Sequence, residues 1–476
     1  MMLKNVVNIF LGTVITQGST ILLYVVLARL LVVDDFGTFR QLFLMLAILT
    51  AISFSALPTS LLYFAGRSES DSEKKQYLYL IFLLTIAIAT LMSISLIGLS
   101  EPISMLFNNS LLSNLLPQFS MSAFGVLAVS LMPSVLLVLD KTNMQIYLGV
   151  FVSIFVTTPC MVIAYFGASL EQIVQLLSSL YLLVGVLLAM LLVYAIRNID
   201  CDFMTLKDKV KQVLSYSWPL LVASGLSILG LKVDHVLIST LLGITAYGLY
   251  SVGAFEIPVF NILQNSVTSV LIPKVTSYLK QQRYDDAMSI WTIAAKRTAW
   301  VTFPVASIFI LHAEEIVTLL FGQQYQQAAP IFAIFTTLVF IRVISFGMAL
   351  RTLGKTKLEL AATLLYVCSG LLGGYFITSQ FGSKGAATWV VVNTILLALT
   401  LSVLSARCSD NKIDILAVYP RAELMISLTS LFGLAAVNEV FDRHNLNIYL
   451  TVIVNMAILL ILWGVAIRYY LNEKTT

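Results

Sequence analysis

Charge is what this sequence has least of. Only 11% of its 476 residues are Asp, Glu, Lys or Arg, whereas 59% are hydrophobic, and the mean hydropathy is +0.93. Soluble domains carry about twice that share of charge to hydrate their surfaces, so the composition excludes a soluble globular protein. Cysteine is also rare. Cys160, Cys201, Cys368 and Cys408 form no C-x-x-C pair, which removes the usual metal and redox spacings and leaves small apolar filler as their role. There are three histidines, no H-E-x-x-H and no nucleophile elbow, so neither a metal nor a catalytic centre is expected. Gly354-Lys355-Thr356 looks like the end of a phosphate-binding loop, but the pattern needs glycine where Ala349 stands, and the segment joins two apolar stretches instead of a strand and a helix. No cofactor is expected.

What the chain has instead is about fourteen apolar stretches of bilayer length: 6–31, 37–65, 77–99, 118–139, 144–166, 173–196, 214–242, 246–279, 298–320, 328–350, 357–378, 384–406, 422–441 and 446–469. The reading is an all-α polytopic membrane protein. The first stretch lacks a small-residue cleavage site and is read as a retained helix. With the amino terminus in the cytoplasm, 22 of the 28 basic residues fall in loops on that side. Arg29, Arg40, Lys384 and Arg443 fall on the other, and Lys232 and Arg342 lie inside spans. That asymmetry sets the orientation, with both termini cytoplasmic. It also disposes of nucleic acid as a partner: the net charge of +4 is spread around loops and is not gathered on one surface.

The chain repeats itself. Leu30-Leu31, followed by Phe36-Gly37-Thr38-Phe39, is matched by Leu241-Leu242, followed by Tyr247-Gly248-Leu249-Tyr250. At nearly the same offset, Asp140-Lys141-Thr142 is matched by Gly354-Lys355-Thr356, and Phe166-Gly167 by Phe381-Gly382. Two matches in the same order and topological places imply a duplicated six-helix unit. An even number of spans per copy gives both copies the same orientation, hence a pseudo-twofold axis along the membrane normal. The expected organisation is a six-helix bundle over 1–197, a cytoplasmic amphipathic linker over 198–213, a second bundle over 214–407 and a two-helix addition over 408–476. The linker alternates Phe203, Leu206, Val210 and Val213 with Lys207, Lys209 and Lys211, and the pattern recurs at Tyr284, Met288, Trp291 and Ala295. Both read as helices lying on the lipid surface.

Ionisable groups inside spans are costly and mark candidate sites. Span seven holds Lys232, Asp234 and His235, and Lys232 shares a helix face with His235. Lys232 and Glu256 each lie twelve residues from the turn near residue 244, which places them at equal depth as a structural pair or as cavity groups. His235 is either a proton-responsive group or a locally hydrogen-bonded one. Arg29 and Arg40 flank Asp34 and Asp35 at the outer surface, as an anchoring cluster or an anion site. Arg342 lies roughly 13 Å in from the cytoplasmic end of its span, with no acid on that span. A guanidinium there suits a phosphate.

Gln17-Gly18-Ser19, Ala28-Arg29-Leu30-Leu31, Asp35-Phe36-Gly37, Val233-Asp234-His235-Val236-Leu237-Ile238, Leu241-Leu242-Gly243 and Tyr247-Gly248-Leu249-Tyr250-Ser251 resemble the two halves of Wzx-type flippases, within the multidrug/oligosaccharidyl-lipid/polysaccharide (MOP) exporter superfamily. The resemblance extends over most of the chain in span layout. It implies two six-helix bundles in a V plus two further helices, in the bacterial inner membrane. It also implies flipping of an oligosaccharide repeat unit on undecaprenyl diphosphate by alternating access, for O-antigen or other surface polysaccharide synthesis. The substrate contacts would be Arg342, Lys232, Arg29 and Arg40; Asp234, His235 and Glu256 would serve coupling or cavity structure. The implied partners are the lipid-linked oligosaccharide, membrane lipids, a polysaccharide polymerase and chain-length proteins, and a proton or sodium ion would be the coupling ion. The alternatives are an ion-coupled multidrug antiporter of the same superfamily and a non-transporting membrane component of envelope glycan assembly.

Orientation is directly testable. Reporters fused after Lys207 and after Lys412 are expected in the cytoplasm and one near Lys384 outside; a cytoplasmic signal at Lys384 would break the fourteen-span topology.

Overall fold

A computed structural model describes residues 2–195, 203–410, 412–443 and, beyond these, 454–455, 457–459 and 463–464. Cys201, the beginning of the expected linker and most of the last expected span lie outside the described residues. Among the described residues the structure is helical throughout, with no strand, as backbone groups in hydrocarbon require. Eight helices are long and apolar enough to cross a membrane, with a ninth candidate in a pair bent by 51°. The count of fourteen is therefore not reached by unbroken helices among the described residues, because several spans are assembled from shorter pieces. One 53-residue helical run, Thr356–Cys408, would be about 80 Å long if straight, far beyond a hydrocarbon core of about 30 Å. It is two helices joined at Gly382, whose φ of 64° and ψ of −154° only glycine adopts freely.

The chain forms two compact units, Met1–Gly248 and Leu249–Thr476. Unit 1 contains α1 (Met2–Leu30), α2 (Val33–Ser53), α3 (Leu57–Arg67), α4 (Asp71–Gly98), α5 (Ser100–Leu106), α6 (Leu111–Phe119), α7 (Ser122–Val138), α8 (Met144–Val152), α9 (Thr158–Tyr165), α10 (Leu170–Ala195), α11 (Phe203–Gly230), α12 (Val233–Leu241) and the start of α13 (Gly243–Gly253). Its closest crossings use small residues, the usual packing solution where lipid is as apolar as the side chains. Gly12 of α1 meets Gly149 of α8, and Gly125 of α7 meets Gly185 of α10. The amphipathic stretch after 203 is not a separate surface helix but the first turns of α11, which packs on α2, α3 and α4. There Tyr216 stacks on Tyr63 at 4.2 Å, Lys209 lies 4.7 Å from the Tyr77 ring centroid, and Arg67 lies 4.6 Å from that of Tyr63.

Unit 2 continues with α14 (Pro258–Lys280), α15 (Tyr284–Leu311), α16 (Ala313–Phe321), α17 (Ala329–Thr336), α18 (Leu338–Ile341), α19 (Met348–Thr352), α20 (Thr356–Cys408, broken at Gly382), α21 (Ile415–Val418) and α22 (Arg421–Arg443). Here too the expected surface stretch is the start of a long helix. Trp291 and Ala295 are buried in a core with Phe303, Met348 and Val418, and α15 packs between α14 and α22.

The repeat seen in the sequence reappears as backbone geometry. Asp140 and Gly354 both take left-handed φ, 54° and 70°, and in each turn the next amide donates to a carbonyl five residues back: Lys141 to Leu136 and Lys355 to Leu350, both at 2.8 Å. These are the same helix-ending motif, filled once by aspartate and once by glycine, the residue types that tolerate that conformation. Gly167 and Gly382 likewise both have positive φ. The aromatic-glycine motifs pack on each other within unit 1. A Cβ on Gly37 would stand 2.8 Å from the Ile244 carbonyl oxygen, and one on Gly248 would stand 2.7 Å from that of Val33. Each glycine thus faces the carbonyl four residues before the other. Gly37→Leu and Gly248→Leu should each lower thermal stability in detergent and abundance in membranes, by the ~1–3 kcal/mol typical of overpacking. Gly66→Ala, with nothing within 4 Å, should be neutral or slightly stabilising. A Gly37→Leu protein melting with the wild type would show that this crossing is not tight.

Candidate functional site

Lys232, Glu256 and Arg342, the ionisable groups expected deepest in the membrane, all sit where a helix is interrupted. Lys232 lies between α11 and α12 with φ −120° and ψ 0°, and its amide donates to the Leu229 carbonyl at 2.9 Å. Arg342 ends α18, its amide donating to Leu338 at 2.8 Å. Glu256 belongs to the non-helical stretch between α13 and α14, just before Pro258, a residue that biases its predecessors out of the helical region. Lys232 therefore stands between the end of α11 and the start of α12, Arg342 follows a helix end, where free carbonyls carry partial negative charge, and Glu256 precedes a helix start, where free amides carry the opposite. Only the break at Pro258 has a clear sequence signal.

Unit 2 pairs two of these groups. Arg342 Nη1 donates to Glu256 Oε1 at 2.8 Å, and Asn261 Nδ2 donates to Glu256 Oε2 at 2.9 Å. The acid that Arg342 lacks on its own span thus comes from a neighbouring segment, and the residue expected opposite Lys232 is engaged by Arg342. The pair lines a cleft together with the polar Asn261, Gln264, Thr298 and Thr302 and the apolar Phe260 and Phe335. Thr298 and Thr302 donate their hydroxyls to carbonyls one turn back, at 2.9 and 3.0 Å, which leaves their oxygens as acceptors. Half-exposed side chains of 24% and 39% keep the ion pair reachable from the cleft.

Unit 1 gathers the other predicted residues. Asp234 and His235 are buried, Lys232 and Arg40 half-buried. Lys232 and Arg40 both lie close enough to act electrostatically on His235, and Arg40 and Asp234 on Tyr247. The Arg40 guanidinium carbon stands 4.4 Å from the Tyr24 ring centroid, and its Nε is buried with no hydrogen-bond partner among the described residues. Arg29 is exposed at the end of α1. Asp34 accepts from Thr245 Oγ at 2.6 Å, across the junction of the two repeated motifs. Below this cluster, Asn109 donates to Thr38 and Gln41, and Gln41 to Ser239, tying α2 to α12 by fully buried bonds. Tyr24, the Asn109 network and Glu423 are absent from the sequence reading. Glu423, 1% exposed in the first turn of α22, has neither carboxylate oxygen hydrogen-bonded among the described residues, and its place at a helix start favours its charge.

The comparisons with known proteins agree with this architecture. Residues 26–330 match the family described as polysaccharide biosynthesis protein. The capsular polysaccharide biosynthesis protein CapF of Staphylococcus aureus is 19% identical over 205 residues, 43% of this chain and 52% of CapF; the chain thus spans about half the length of the curated relative it matches. Among solved structures, lipid II flippase MurJ in an inward closed conformation superimposes with a TM-score of 0.73 at 15% identity, covering 98% of this chain and 100% of MurJ. An inward-facing multidrug resistance MATE family transporter of the MOP superfamily gives 0.65 at 12% identity, covering 86% and 99%. These likenesses show that the chain has the fold these two structures share. With the matched region extending over more than half of its length, the chain belongs to the polysaccharide biosynthesis protein family.

Proposed function

We propose that the chain is a transporter, not an enzyme, and flips a lipid-linked oligosaccharide across the bacterial inner membrane by alternating access. The observation that carries this reading is that Lys232, Arg342 and Glu256, ions within long apolar stretches, all stand where a helix is interrupted. A polyprenyl-diphosphate glycan needs such a path: its head cannot enter hydrocarbon without compensation, while its tail stays in lipid. The family membership and the printed function of MurJ, a lipid II flippase, support the same substrate class. In this reading Arg40 and Lys232, with Arg29 nearer the outer surface, hold the diphosphate as charge-assisted donors. Asp234 and His235 serve coupling to a proton or sodium gradient. A drug-cation antiporter is the less favoured alternative, since the carboxylate such a cargo needs, Glu256, is already held by Arg342.

Deleting the chain should abolish surface glycan and accumulate its lipid-linked repeat unit in the cytoplasmic leaflet. Restoring Arg40→Gln or Lys232→Gln should leave membrane abundance normal but cut export at least about tenfold, the loss expected for one charge-assisted hydrogen bond. Normal glycan in the deletion strain together with new drug sensitivity would identify the antiporter instead.

A further inference from the structure

The cleft around Arg342 is not built like a phosphate site. A phosphate site offers donors and positive charge, but here the guanidinium is already matched by Glu256 at 2.8 Å, so an incoming anion would meet a carboxylate at the same place. What the cleft offers is mixed. Arg342 retains N–H groups beyond the one given to Glu256, the Gln264 amide supplies both a donor and an acceptor, and Thr298 and Thr302 present acceptor oxygens. Phe260 and Phe335 form part of the lining. Hydroxyl groups, each donor and acceptor at once on an apolar ring, are the chemistry that fits such walls. The free space of about 40 Å³ is small beside ligand pockets of several hundred Å³, so the cleft suits the hydroxyl-bearing edge of one sugar ring and not a whole saccharide.

We infer that the Glu256–Arg342 cleft of unit 2 is a carbohydrate subsite that reads the hydroxyl edge of one sugar of the transported glycan, while the diphosphate is held elsewhere. The inference rests on the flippase reading and assigns Arg342 to the sugar end of the substrate, with Gln264 and Asn261 as further specificity-determining residues. Asn261 acts by orienting the Glu256 carboxylate, to which it donates at 2.9 Å.

The test compares two lipids on the purified full chain: the polyprenyl-diphosphate glycan extracted from a strain lacking this protein, and farnesyl diphosphate, which has no sugar. Gln264→Leu and Glu256→Gln should weaken binding of the glycan lipid about tenfold and leave farnesyl diphosphate within about twofold, while Arg40→Gln weakens both. Size-exclusion and melting profiles check that Glu256→Gln is folded; Gln264→Leu, which breaks no ion pair, keeps the test valid if it is not. Equal losses for the two lipids would make the cleft a charge site, and unchanged binding of both would empty it of any substrate role. Either result overturns the subsite and leaves the flippase reading standing. If the unaltered protein binds the glycan lipid no better than dodecyl maltoside micelles alone, the flippase reading falls, and the subsite with it.

Discussion

Hydrocarbon supplies no hydrogen bonds, so inside a membrane every broken helix and every charge must be compensated by the protein itself. This chain meets both demands at the same positions. Interrupting a helix frees carbonyls at one end and amides at the other; Arg342 and Glu256 sit against ends of matching sign, and Lys232 lies in the break between α11 and α12. The breaks make the charges tolerable, and the charges and their partners occupy the breaks. A polar surface at membrane depth follows from that arrangement, without any soluble domain to carry it.

The same economy of charge governs the helix ends that carry the basic loops. Basic residues also close the packing there. Lys209 lies on Tyr77 and Arg67 on Tyr63 in unit 1, while Lys412 lies 5.0 Å from the Tyr284 ring centroid and Arg283 5.0 Å from that of Tyr278 in unit 2. A cation over an aromatic face keeps its charge near water while its stem covers apolar surface. The stretches that look like surface helices by periodicity are the beginnings of α11 and α15, each with one face packed on its neighbours. Lys209 and Trp291 face neighbouring helices and not lipid, and amphipathic spacing alone does not distinguish the two environments.

The fold class was legible because long apolar runs and loop charge are properties of many residues at once. The duplication was legible because turns need particular residues, and glycine or aspartate at left-handed positions leaves a mark in the sequence. The site was only half legible. Lys232, Glu256 and Arg342 stand out as ions in apolar runs, but their partners depend on where helices break. Hydropathy is continuous across Lys232 and Arg342, so nothing in it announces that the break after α18 brings Arg342 to Glu256 at 2.8 Å. Glu423 left no trace because burial at the start of α22 is set by tertiary packing, and α22 packs on α15, more than a hundred residues away in sequence.

The reciprocal crossing of Gly37 and Gly248 bears on how the two copies of the repeat are allowed to diverge. Elsewhere each copy can drift by itself, as Asp140 and Gly354 illustrate with one turn and two residues. At the crossing, each copy's glycine accommodates the other copy's backbone, so the shape of one half is part of the environment of its own duplicate. A change on either side is felt by both. The duplication therefore survives there as a mutual steric constraint, long after most of the matching letters have been lost.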